Sequence, residues 1–145
     1  MIVVDTTVLV YAVGSEHAYR EPSRSLIEAV RAGDIQATTT IEVIQEFAHV
    51  RARRRGRDDA RRLAAAYADL LAPLRTTSEL NLRSGLELWA RSERLGAFDA
   101  VLAEVARDLG ALAVVSADRA FEDVDGVRHV IPDASGVAHL LAAPP

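Results

Sequence analysis

A chain of 145 residues, half of them hydrophobic and none of them cysteine, can bury a real core in one domain without a disulfide framework, a zinc–thiolate site or a thiol nucleophile. A net charge of -4 argues against a general polyanion binder. All 17 basic residues are arginine, which excludes Schiff-base chemistry, the lysine of a phosphate-binding loop, and the lysine of receiver-type and haloacid-dehalogenase-type acidic pockets.

The opening run MIVV, residues 1–4, reads as a buried strand. Asp5 and Thr6 then start a helix carrying Val8, Leu9 and Tyr11. Residues 15–21 read as a loop, and Pro22 suits the first turn of a helix that runs through Leu26, Ile27 and Val30 to Gly33. Residues 35–40 form a weaker second strand. A helix over 41–54 ends at Gly56, and another over 58–71 ends before Pro73. Residues 74–77 read as a short edge strand, and Ser78 caps a helix through Leu82, Leu86 and Trp89. A helix over 98–109 is closed by Gly110. Residues 112–115 form a strand, 119–122 a helical turn, 127–131 a last strand and 134–142 a terminal helix.

Short apolar strands alternating with helices predict a three-layer α/β domain over 1–145, with a parallel sheet of about five strands. The excess of helix before the third strand predicts a helical hairpin projecting from the sheet. No stretch is long and apolar enough to cross a bilayer, and the N-terminus lacks the pattern of a cleaved leader, so the expected location is the cytoplasm. The histidines, His17, His49, His129 and His139, show no metal-binding spacing.

Acidic residues stand where the apolar segments break off. Asp5 ends the first strand, and Asp118 follows the run LAVV closely. Each is also a good helix cap, so each has a purely structural alternative. On the wheel of the 98–109 helix, Phe98, Val101, Leu102, Val105, Ala106 and Leu109 form the apolar arc. Asp99 lies about 20° beyond Ala106 and is expected to face the body of the protein, although a first-turn acid also suits the helix dipole. Glu46 and Glu42 share one helix face; Glu46 lies nearer the side defined by Val43, Ile44, Phe47, Ala48 and Val50, with Glu42 further round towards solvent. Carboxylates gathered at one sheet edge repel one another unless a cation sits among them, which makes a hard divalent metal site the leading reading.

At these residues the chain resembles the PIN-domain ribonucleases of the VapC toxin type. MIVVDTTVLVYAV resembles that family's first strand and catalytic aspartate, here Asp5. TTTIEVIQEFAHV resembles the helix carrying its glutamate, here Glu46. GAFDAVLAEVARDLG carries the third acid, Asp99, and LAVVSADRAFEDV the fourth, Asp118, with Asp123 and Asp125 as alternatives or additions. The resemblance implies a metal-dependent endoribonuclease using Mg²⁺, or Mn²⁺, with Asp5, Asp99 and Asp118 holding the main ion. Glu46 then binds a second ion or orients the attacking water, and Thr6 and Ser116 support the ligands from behind. It also implies an RNA substrate, a small cognate antitoxin protein and a homodimer, for which Trp89, Leu86 and Tyr67 are interface candidates. Arg51, Arg53, Arg54, Arg55, Arg57, Arg61 and Arg62 read either as a solvated face partly paired with Asp58 and Asp59, or as a grip on RNA phosphates or on a partner. The alternatives are a catalytically inactive PIN-fold RNA- or protein-binding module and an aspartyl-phosphate phosphatase. Against the phosphatase, Thr7 stands where its second aspartate belongs.

Overall fold

A computed structural model describes residues 1–142; residues 143–145 of the expected domain lie outside the described residues. Four parallel strands, β1 (Ile2–Val4), β2 (Ala37–Thr38), β3 (Val114–Val115) and β4 (His129–Val130), lie in the order β2-β1-β3-β4. The two inner strands, β1 and β3, are wholly buried, as expected of apolar runs covered on both faces. Val3 faces Thr38 on one side and Val114 on the other, and Val115 faces Val130.

Strand order reverses at β1. The chain leaves β1 through α1 (Thr6–Ala12) and α2 (Arg20–Ala32) to reach β2 on one side. It returns through α3 (Ile41–Arg55), α4 (Arg57–Leu70), α5 (Glu79–Arg91) and α6 (Ala97–Asp108) to reach β3 on the other. Right-handed crossovers in opposite directions cover both faces of the sheet and give three layers, with α1 packing on α3 as well as on α2. α3 packs on α4 and α5 on α6, so the expected hairpin is present and has a second beside it. The terminal helix α7 (Ala134–Ala142) packs on α2.

Local chemistry starts and stops these elements. Thr40 caps α3 by accepting the Val43 N–H at 3.3 Å. Ser78 and Asn81 form a reciprocal capping box at α5. Gly33 ends α2 at φ 82°, a left-handed conformation that glycine adopts without steric cost. Gly85 lets α5 approach α6 closely: a Cβ there would sit 2.8 Å from the Val101 Cα.

The expected strand at 74–77 is a correction. It shrinks to one parallel bridge between Thr40 and Arg75, closed by Arg75 N–H to Thr39 carbonyl at 2.9 Å and Ile41 N–H to Arg75 carbonyl at 3.2 Å. Thr40 is still extended, but Ile41 after it begins α3, so no extended neighbour remains to continue the ladder. Tyr67 is a second correction: it is buried, with its ring edge-on to Phe47 at 5.0 Å, and belongs to the core rather than to an interface. Among the described residues no helix is long and apolar enough to cross a membrane.

Candidate active site

The strand-order switch leaves a crevice beyond the carboxyl ends of β1 and β3, the usual place for a site in an open parallel sheet. Asp5 enters it directly from β1. Its N–H donates to the Val115 carbonyl at 3.0 Å, and its side chain caps α1 through the Thr7 N–H at 3.3 Å. The cap and the site are therefore the same group. Asp5 Oδ2 also accepts the Thr7 hydroxyl at 2.7 Å and the Ser116 hydroxyl at 2.7 Å. Three donors converge on one oxygen of a carboxylate only 4% exposed, which fixes its orientation. Among the described residues Oδ1 accepts no protein hydrogen bond and is left for the crevice.

Ser116 and Asp118 come from the end of β3. Ser116 Oγ accepts the Asp118 N–H at 3.0 Å, and Asp118 Oδ1 accepts the Ala120 N–H at 2.8 Å, capping the 3-10 turn Arg119–Asp123. Asp118, too, is both a cap and a wall of the cleft.

Asp99 lies in the first turn of α6, three residues after the cap position Gly96. Its carboxyl is pushed up from the ordinary 3.8 to about 7, first by burial and then by the charges of Asp5, Asp118 and Glu46; the Gly96 N–H pulls the other way. That dependence places all four acids within electrostatic reach of one another. They line one cavity of about 520 Å³, together with Thr6, Tyr11, His17 and Arg54.

Glu46 joins from α3, where its Oε2 accepts the Thr6 hydroxyl at 2.6 Å. The helix wheel ordered the two glutamates wrongly: Glu46 is exposed and Glu42 is half-buried, with one carboxylate oxygen enclosed and unpartnered. A wheel measures the angle to a helix's own apolar side, whereas Glu42 is covered from outside, in the groove beside Ser78, Glu79 and Leu82 of α5. Phe98 is a further correction, because it is 74% exposed rather than part of the buried arc. α6 begins at the cleft edge, where its first turn buries Ala100 and half-buries Asp99 but leaves Phe98 facing outward.

Thr7 is the residue the sequence did not single out. Its hydroxyl donates to Asp5 and accepts the Ala117 N–H at 2.9 Å, tying α1 to the turn after β3. The available signal was its place two residues after an aspartate cap, where the cap's side chain reaches back. Thr6, which was singled out, supports Glu46 instead. Asp123 and Asp125 stand apart: Asp123 pairs with Arg94 at 2.9 Å, and the Asp125 carbonyl accepts from Arg107.

As the side chains stand, no three acidic or histidine groups among the described residues close on one point. The donor set still fits a small hard cation. Magnesium keeps several waters and takes only one or two carboxylates from the protein, and Asp5 Oδ1 and Asp99 offer them here. The mutual repulsion that raises Asp99 is the force such a cation would relieve.

Of the arginine cluster, Arg51 is structural. It donates to Asp59 at 2.5 Å and to the Val13 carbonyl at 2.9 Å, holding Asp59 below the ordinary carboxylate range. Arg62 meets Asp59 from the other side at 2.9 Å. Arg53, Arg54, Arg55, Arg57 and Arg61 are exposed and form no ion pair among the described residues.

Fold and cleft together define a parallel α/β protein with an acidic site at its strand-order switch. The family model described as "PIN domain" matches residues 2–127. Ribonuclease VapC7 of Mycobacterium tuberculosis is 53% identical over 142 residues, 97% of this chain and 98% of that protein. The chain belongs to the PIN-domain family, among the VapC ribonucleases. Two solved structures share the fold. VapC20 of M. tuberculosis, described as a Sarcin-Ricin loop cleaving toxin, aligns with TM-score 0.70 at 19% identity over 88% of this chain and 99% of that one. VapBC2 of Rickettsia felis, bound to a DNA fragment from its promoter, aligns with TM-score 0.69 at 15% identity over 90% and 98%.

Proposed function

We propose that this chain, as a single nuclease domain over 1–145, is a cytoplasmic metal-dependent endoribonuclease, the toxin of a VapBC-type pair. The observation that carries the reading is the convergence of Asp5, Glu46, Asp99 and Asp118 from four separate segments into one cleft. Asp5, Asp99 and Asp118 would hold Mg²⁺, or Mn²⁺, with Glu46 on a second ion or on the attacking water. When bound, the cation supplies charge neutralisation at the scissile phosphate and lowers the pKa of water.

The chain's own residues do the rest. Thr7 and Ser116 hold Asp5 in one orientation, and Thr6 steadies Glu46. Glu46 is the acceptor available for the proton of the attacking water. No histidine or lysine base is needed.

The cognate antitoxin has a fitting seat. A groove of about 460 Å³ adjoins the carboxylates, lined by Glu42 and Val43 of α3, by Glu79, Leu82 and Leu86 of α5, and by Val101 and Leu102 of α6. An apolar segment carrying a basic residue complements it. The relative crystallised as VapBC2 supports an antitoxin partner. Trp89, 48% exposed on α5, is a candidate for the homodimer contact.

The test is cleavage of labelled RNA. Cleavage that requires Mg²⁺, stops with EDTA and is lost in Asp5→Asn supports the nuclease. RNA binding without cleavage under any divalent cation establishes the inactive binding module instead.

A further inference from the structure

Beside the four acids, the same cleft carries two aromatic rings that the metal chemistry does not use, Tyr11 and His17, with a third, Tyr19, packed against them. Tyr11 of α1 stacks on His17 with centroids 4.5 Å apart and planes at 28°. Tyr19 meets both edge-on, at 5.4 Å from Tyr11 and 5.0 Å from His17. Tyr11 is half-buried and His17 exposed, so the stack points outward at the cleft mouth, and both rings line the cavity that holds the carboxylates.

The loop that bears His17 is anchored. Arg24 donates to the Ala12 carbonyl at 2.8 Å, and Arg51 donates to the Val13 carbonyl at 2.9 Å. The Tyr19 N–H donates to His17 Nδ1 at 3.1 Å, fixing the ring. Arg54 lies on the same cavity, exposed and without an ion pair among the described residues.

An acidic cleft repels a phosphodiester backbone except where a cation sits. Flat rings and a free guanidinium are what this protein offers RNA away from the metal ligands. Stacking on aromatic rings requires an unpaired base and tolerates any of the four. We propose that His17, backed by Tyr11, is a nucleobase platform on which a base of single-stranded RNA near the scissile phosphate stacks, while Arg54 contacts a neighbouring phosphate. This rests on the ribonuclease reading. It adds to that reading a requirement for a splayed, single-stranded nucleotide at the site and gives the reason for it.

The probe is a single-stranded RNA that the unaltered protein cleaves, carrying 2-aminopurine at successive positions beside the cut. Binding is read in the Asp5→Asn background and cleavage in the parent. Stacking predicts fluorescence quenching at one flanking position. In His17→Ala that quenching disappears and KM rises about tenfold while kcat holds, and His17→Phe restores both. The same sequence as a duplex gives no quenching. Unchanged KM and quenching in His17→Ala overturn the platform while leaving the nuclease intact. Loss of kcat and of thermal stability that His17→Phe does not repair shows the rings to be only a brace for the loop, and also overturns it. A parent protein that cleaves no RNA overturns the nuclease reading, and the platform with it.

Discussion

Two aspartates in this cleft are the same residue under opposite treatment. Asp5, at the end of β1, is nearly enclosed and receives three donors on one oxygen. Asp99, at the start of α6, is half-buried, faces three other acids and has one backbone N–H in its favour, so its carboxyl rises to about 7. The fold itself holds the first carboxylate in position, while the second awaits a counter-charge. A site built this way is rigid on the sheet side and responsive on the helix side, which suits a cation that arrives with its waters and leaves again.

The sharpest way to break the contrast is Asp5→Asn. Cleavage is expected to fall by about a thousandfold or more, the equivalent of several kcal/mol of charge stabilisation, while thermal unfolding changes little because Asn can still accept at the cap. Single-turnover cleavage and melting measured together check both halves. Glutamate exchange comes next. Glu46→Gln is expected to cost about a hundredfold in kcat and Glu42→Gln only a few-fold, since Glu46 alone of the two is held by Thr6. Equal losses would mean that the hydrogen bond does not choose between them.

Thr7→Val tests the support of Asp5. It leaves the Ala117 N–H without its partner and Asp5 with two donors. About tenfold loss of cleavage and about 1–2 kcal/mol of stability are expected, the latter read by denaturant unfolding.

The smallest effect concerns Asp99 and pH. Below pH 3.8 its carboxyl is protonated in both folded and unfolded chains. Between 3.8 and about 7 the unfolded chain gives up that proton while the folded chain keeps it, so stability falls as pH rises and the loss is complete above about 7. In EDTA, Asp99→Asn is therefore expected to raise the melting temperature at pH 8 by a few degrees, and to leave it nearly unchanged at pH 4. Mg²⁺ is expected to stabilise the parent at pH 8 and the variant much less. A variant with the parent's full pH dependence would remove Asp99 from its role.

Most elements were legible because their causes are local. β1 is an apolar run ended by a cap, and Thr40, Ser78 and Asp118 occupy the cap positions that their side chains favour. Asp5 and Asp99 were legible for the same reason: one closes a strand, and the other sits at a helix border. What escaped was non-local. Glu42 and Glu46 exchanged burial because α5 covers one of them. Phe98 lost its cover because α6 starts at an edge, and the strand at 74–77 lost its ladder because α3 begins at Ile41, directly after the bridging Thr40.

The sequence by itself determined where the chain turns, which residues cap those turns, and that the turns are acidic, since caps and apolar runs act over a few neighbouring residues. Only the tertiary structure decided that Asp99 feels Asp5, Asp118 and Glu46, that Thr7 rather than Thr6 holds Asp5, and that Tyr11 and His17 share their cavity. Those relations join residues up to about a hundred positions apart. The long-range ones follow from the order of the parallel strands and the placing of the helices that carry Glu46 and Asp99, which no local propensity encodes.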